Sequence, residues 1–253
     1  MSHGAQLDKP EDALEHVLVH APEALRKTEM IRYEVRAALP EDEDGLFELA
    51  GFLNTVNLPR DRAAIRNLLD HSAASFSGRL EDPTARRYVF VLHDIETDKP
   101  MGTSMIVAQH GRPDAPYIYY DVLHDEKYSK ALERHFRHDI LRLGFSYDGP
   151  TELGGLVVDP AARRSPERLG RFISCVRLLF IASLRDAFQN VVIAELLPPL
   201  EADGTSQLWE ALGYHFTGMS YADADHTVMG SINDEAHGGG VTIFSGSPAA
   251  GEI

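Results

Sequence analysis

Two periodicities of apolar residues run along this chain, and together they predict an alternation of strands and helices. Ile31, Tyr33, Val35 and Ala37 alternate with Arg32, Glu34 and Arg36, which is the pattern of a half-buried strand. An acidic helix start, Pro40 to Asp44, follows, with Leu46, Leu49, Ala50 and Leu53 on one face. That acidic run either draws in a basic substrate or is a solvated first turn. Asn57-Leu58-Pro59 breaks the chain, Asp61 is placed to cap a second helix with Ile65, Leu68 and Leu69 inward, and 72–83 reads as a loop. Strands are predicted at 88–92, 102–108 and 117–122, separated by turn-rich stretches. The tyrosines 117, 119 and 120 serve either sheet packing or an acceptor pocket.

The most informative stretch is 151–188. Leu153, Leu156, Val157 and Val158 predict a buried strand, stopped by Asp159-Pro160 because proline has no N–H for a ladder. Pro166 suits the first turn of a helix, and Leu169, Phe172, Ile173, Val176, Leu179, Phe180 and Leu184 recur at helical spacing after it. Between them lie Arg163, Arg164 and Arg168. Basic residues before a helix N-terminus, with its free N–H groups, form an anion site, and Gly170 lets backbone approach a ligand closely. Strand–loop–helix units with basic loops are also common in proteins that bind no phosphate. Further on, 191–194 reads as a buried strand, Ser206 caps a short helix closed by Gly213, and Tyr214 to Phe216 as an edge strand.

Composition narrows the classes. Charged residues make up 25% and no apolar run approaches membrane-spanning length, so a globular protein with no membrane partner is expected. The formal net charge of -15 argues against sequence-independent nucleic-acid binding, yet a few arginines still dominate one pocket. The N-terminus lacks a signal-peptide pattern, which makes the cytoplasm the default. The single Cys175 rules out an internal disulfide and a multi-cysteine metal site; mid-helix among apolar residues, it reads as packing. His124, His135 and His138 cluster with Asp125, Glu126 and Asp139; on a helix His135 and His138 would be neighbours, but H-E-x-x-H is absent and no metal is expected.

The order strand, V-D-P-x-x-R, then a glycine opening a long helix resembles the acyl-CoA site of GNAT-type N-acyltransferases. T-E-L-G-G-L-V-V-D-P, R-L-L-F-I-A-S-L-R-D-A-F, V-I-A-E-L and W-E-A-L-G-Y-H-F-T-G-M-S-Y-A-D-A-D, with N-L-P-R-D-R-A-A-I, Y-V-F-V-L-H-D and M-G-T-S-M-I before them, resemble the arginine N-succinyltransferase family over roughly residues 31–229. The resemblance implies a mixed α/β fold of GNAT type, with a central sheet flanked by helices, and succinyl-CoA as an acyl-donor substrate rather than a tightly bound cofactor. It divides the chain into an extension (1–29), an acyltransferase domain (30–230) and a loose tail (231–253). The CoA cradle it implies takes in Val157, Val158, Arg163, Arg164, Arg168, Leu169, Gly170 and Arg171. Only Gly170 matches the two glycines of the family's R-x-x-G-x-G loop. The family continues past the A-D-A-D block, so the expectation is a homo-oligomer or a chain with a companion subunit.

Succinyl transfer to an amine needs a base, an acid for the leaving thiolate, and an anion for the substrate cation. Glu152, at the start of the central strand, is either the general base or a strand-end carboxylate paired with an arginine. Tyr214 is the candidate acid; Glu195 and His138 are candidates for the amine substrate. The expected activity is succinylation of the α-amine of arginine, with ornithine as a further acceptor. The alternatives are another CoA-dependent N-acyltransferase, or a truncated non-catalytic subunit that binds CoA or a partner.

Overall fold

A computed structural model describes residues 31–52, 57–196 and 199–224. The N-terminal extension and the C-terminal tail expected from the sequence lie outside the described residues. The chain forms two units. Of the described residues, those up to Gln109 together with Pro150–Ala194 make the first, and His110–Gly149 with those from Glu195 onward make the second.

The first unit is a five-stranded mixed sheet in the order β1-β2-β3-β6-β7. Its strands are β1 (Tyr33–Ala37), β2 (Arg87–Asp94), β3 (Lys99–Val107), β6 (Thr151–Val158) and β7 (Val192–Ile193). Every pairing is antiparallel except the last, β6 with β7. Helices α1 (Glu43–Ala50) and α2 (Arg62–Phe76) pack on one face, and α3 (Leu169–Ser183) on the other. β2 shows why its sequence is a continuous apolar run rather than an alternation. Val89 and Val91 enter the core under α1 and α2, while Tyr88, Phe90 and Leu92 enter the core under α3. A strand covered on both faces has no polar side to alternate with. Around Phe180, the rings of Phe76, Tyr88, Phe90 and Phe188 pack with centroids 5.0–6.0 Å away, in the offset geometries that aromatic quadrupoles favour.

Asp61 caps α2, its carboxylate accepting from Ala64 N–H at 2.7 Å. The helix then runs to Phe76, through the start of the stretch expected to be loop. The polar residues Ser72 and Ser75 hid it, because both are buried and face β2. The Ser72 hydroxyl accepts from Val89 N–H and that of Ser75 from Arg87 N–H, beyond the point where β1 can pair. Buried backbone donors must find partners, so these serines serve the sheet as ladder acceptors.

Arg32, just before β1, donates to Asp94 at the end of β2 (3.0 Å), and Asp94 also accepts from Glu96 N–H. The hydrogen bond from Arg32 holds the Asp94 carboxyl below the usual carboxylate range. A folded-state pKa below the unfolded value gives stability that is present above the unfolded pKa of about 3.9 and is lost as pH falls through the folded one. The melting temperature should therefore fall on acidification, and Asp94→Asn should flatten that part of the profile. An unchanged acid limb in the variant would assign the loss to other carboxylates.

The second unit contains a two-stranded antiparallel ribbon, β4 (Tyr117–Ser129) and β5 (Arg134–Ser146). Here the sequence reading needs correction: 124–143 is strand on both sides of a turn, so His135 and His138, three apart on β5, point to opposite faces. The region expected to be a helix closed by Gly213 and followed by an edge strand is one continuous helical run. A π-helical stretch, Trp209–Gly213, leads directly into α4 (Tyr214–Thr217), and Gly218 with φ 68° ends it. Gly213 is there for packing, because a Cβ would sit 2.5 Å from the Trp209 ring. Among the described residues no helix is long and apolar enough to cross a membrane.

Candidate functional site: the end of β6 and the start of α3

β6 is pinned at its C-terminal end by side chains on both faces. Val157 packs under α1 and α2, and Val158 under α3. After Asp159 the chain turns repeatedly: Ala162 N–H donates to Asp159 O, Ser165 N–H to Ala162 O, and Arg168 N–H to Ser165 O. Arg168 takes the left-handed conformation (φ 54°) as the residue capping α3, and its carbonyl accepts from Arg171 and Phe172 N–H. Pro166 therefore lies in the turn before the helix, not in its first turn.

These elements enclose an open cavity of about 420 Å³ lined by Phe52, Leu156, Val157, Val158, Arg163 and Gly170. Arg163 donates from Nε to Val158 O (3.0 Å), which ties the loop to the strand end and holds the guanidinium at the cavity wall. Arg164, Arg168 and Arg171 are exposed nearby in sequence, on the loop and first turn. Leu169, expected in the cradle, turns its side chain into the core at 2% exposure, so only its backbone is available to a ligand. The N–H groups of the first turn of a helix lack intrahelical partners and carry partial positive charge. Helix start, arginines and cavity together suit a phosphorylated ligand.

Two further features of β6 bear on chemistry. Its register against β3 slips between Thr103↔Val157 and Met105↔Gly154, which leaves one extra residue in β6, and Gly155 takes φ +56° there. Such a bulge re-aims the strand and favours glycine at the left-handed position. On the other edge, pairing with β7 covers only Thr151 and Glu152. From Leu153 onward, beside the bulge, that edge has no strand partner among the described residues.

Glu152 is buried at 3% exposure, and Asn57 Nδ2 donates to its Oε1 at 2.8 Å. Arg87, Val107 and Glu152 lie in one row across β2, β3 and β6. Burial pushes the guanidinium pKa of Arg87 down, and the Glu152 charge opposes it. Arg177, on the inward side of α3, is pushed down by burial and raised by Cys175 and Glu152; its Nη1 donates to Gly154 O at the bulge (3.2 Å). The sequence reading missed Asn57 and Arg177. Nothing in the sequence links Asn57 to a residue 95 positions later, but Arg177 was detectable as a charge in the buried stripe of an amphipathic helix.

The other candidates belong to the second unit. Glu195 follows β7 and accepts from the Tyr117 hydroxyl at 2.9 Å. Tyr214 stands on the α4 turn, half exposed, with its ring edge-on to His215. His138 is exposed on β5, opposite Asp125, its ring parallel to Phe136. Cys175 is exposed on α3 rather than packed in the core.

Comparison with known proteins identifies the family. The family described as arginine N-succinyltransferase beta subunit matches residues 33–235. An arginine N-succinyltransferase of Yersinia pestis (strain Pestoides F) is 34% identical over 195 residues, 76% of this chain and 55% of that protein. One from Photorhabdus laumondii is 29% identical, covering 78% of this chain and 57% of its own. The chain thus spans a little over half the length of these curated relatives. The solved structure of arginine/ornithine succinyltransferase subunit AI from Pseudomonas aeruginosa matches with a TM-score of 0.68 at 27% identity, over 78% of this chain and 59% of that one. With the family match spanning nearly all the described residues, and a solved member sharing the fold that builds the β6–α3 site, the chain belongs to the arginine N-succinyltransferase family.

Proposed function

We propose that this protein binds succinyl-CoA at the junction of β6 and α3 and transfers the succinyl group to the α-amine of arginine, with ornithine as a further acceptor. The observation that carries this reading is the cavity between the end of β6 and Gly170, on a bulged strand whose far edge has no strand partner from Leu153 onward among the described residues. The phosphates would lie against the first turn of α3 and the loop arginines, and the thioester along the open edge of β6. In the reaction the amine nitrogen attacks the thioester carbonyl carbon, an N–C bond forms and the C–S bond breaks. The ammonium proton leaves to a base and the thiolate takes a proton from an acid. Glu152 is the proposed base; Tyr214 is the proposed acid, and Glu195 and His138 the proposed contacts of the amine substrate.

A second reading, CoA binding without transfer, is favoured by the Glu152 environment, because a carboxylate held by Asn57 and opposed to two arginines is also what a structural anion looks like. A thiol-release assay with succinyl-CoA and a panel of amines, run beside calorimetric CoA binding, separates the two. Release of CoA with arginine supports the enzyme, binding without release supports the second reading, and no binding removes both.

The arginines provide a graded test. A charge-assisted hydrogen bond is worth about 1.5–3 kcal/mol, and exposed side chains belong at the low end, so Arg163→Ala, Arg164→Ala and Arg168→Ala should each weaken CoA roughly tenfold. Arg163→Ala should cost most, because that side chain lines the cavity. The losses should shrink at high salt. Wild-type affinity in all three variants would remove the anion site.

A further inference from the structure

Helix α3 has two apolar faces, and among the described residues only one is covered. Leu169, Ile173, Phe180 and Ile181 are buried against the sheet. On the other side Phe172, Leu178 and Leu179 are 43%, 53% and 53% exposed, with Cys175 and Ala182 exposed between them. Phe172, Cys175, Leu179 and Ala182 follow the 3-4-3 spacing of a helix–helix seam. An uncovered apolar stripe of this kind marks an interaction surface.

The order of residues along the stripe points to its occupant. Laid antiparallel against a copy of itself about a two-fold axis between Leu178 and Leu179, the helix sets Leu178 against Leu179 of the copy and Cys175 against Ala182. Isologous contacts need this self-complementarity. Charge agrees: the formal net charge is -15, so two copies repel in general, yet no acidic residue occurs between Glu167 and Asp186. On this face two copies meet without opposing carboxylates.

We infer that the outer face of α3 is a homodimer interface, two α3 helices packing antiparallel across a two-fold axis at Leu178 and Leu179. The inference stands independently of the acyltransferase reading. One helix pair buries less than the ~1,200 Å² typical of stable complexes, so the dimer should dissociate in the micromolar range unless neighbouring surface joins in.

Sedimentation velocity on the full chain across a concentration series should show a dimer, and Leu179→Asp should give a monomer with unchanged circular dichroism, since that side chain is not in the core. Crosslinking tests the register. Ala182→Cys should form a disulfide dimer with the native Cys175 of a second copy on a non-reducing gel. Within one helix these positions are about 10.5 Å apart along the axis, beyond the Cα separation a disulfide spans. The double variant Cys175→Ser/Ala182→Cys should lose the crosslink. A wild-type chain that stays monomeric at high micromolar concentration overturns the inference, whether another segment or a different protein covers the helix. So does a dimer that survives Leu179→Asp, or an Ala182→Cys variant that does not crosslink.

Discussion

Tryptophan at position 170 should abolish CoA binding and leave the protein folded. Gly170 lines the cavity in the first turn of α3, and a Cβ built there meets only Val158 Cγ2, at 3.8 Å, an ordinary contact. The protein therefore does not need glycine at this position for its own packing. What needs the space is whatever occupies the cavity, and an indole there would fill the room between the strand end and the helix N–H groups. Alanine adds one methyl group and should cost little. Calorimetry should show no CoA binding for Gly170→Trp, near-normal binding for Gly170→Ala, and unchanged melting temperatures for both. Wild-type affinity in Gly170→Trp would move the CoA site away from the start of α3.

How far the sequence spoke for itself depends on what each segment is buried against. β2, β6 and the inner face of α3 were legible because burial on one or both sides leaves a regular apolar signature, as in Tyr88 to Leu92 and Leu169 to Phe180. The end of α2 was not, since Ser72 and Ser75 break the apolar pattern while doing a backbone's work for β2. The ribbon from Tyr117 to Ser146 was legible only in part. Most of its outer residues are exposed, so periodicity has little burial to report, and its histidines suggested helical spacing where strand spacing holds. The edge strand expected from Tyr214 to Phe216 was misplaced through Gly213, taken for a helix stop when the glycine instead makes room for Trp209.

The candidate site divides in the same way. The proposed CoA cradle is local: strand end, loop and helix start are contiguous, so sequence order already groups Arg163, Arg164 and Gly170. The surroundings of Glu152 are not local. Its partner Asn57 and its neighbours Arg87 and Arg177 come from three other places in the chain. Only the sheet register, which sets Arg87, Val107 and Glu152 in a row, brings them together.

Glu152→Gln should lower turnover at saturating substrate by about 10²–10⁴-fold, the usual contribution of a positioned base, and leave CoA affinity unchanged. Glutamine keeps the shape and can still accept from Asn57, so the change is chiefly one of charge and basicity. It also removes an anion whose charge favours the ionised forms of Arg87 and Arg177, and taking away one charge beside the buried Arg177 destabilises the fold. The melting temperature should therefore fall too, and stability alone cannot assign the role. The separation comes from kinetics on the folded fraction. If Glu152 is the base, the lost activity is in the chemical step, and the alkaline shift of the remaining rate follows the acceptor amine's own deprotonation. Asn57→Ala, which removes one hydrogen bond from the carboxylate without neutralising it, should then lower turnover less than Glu152→Gln. If Glu152→Gln turns over at the wild-type rate while melting at a lower temperature, Glu152 is a structural anion near Arg87 and the buried Arg177, and the proton leaves by another route.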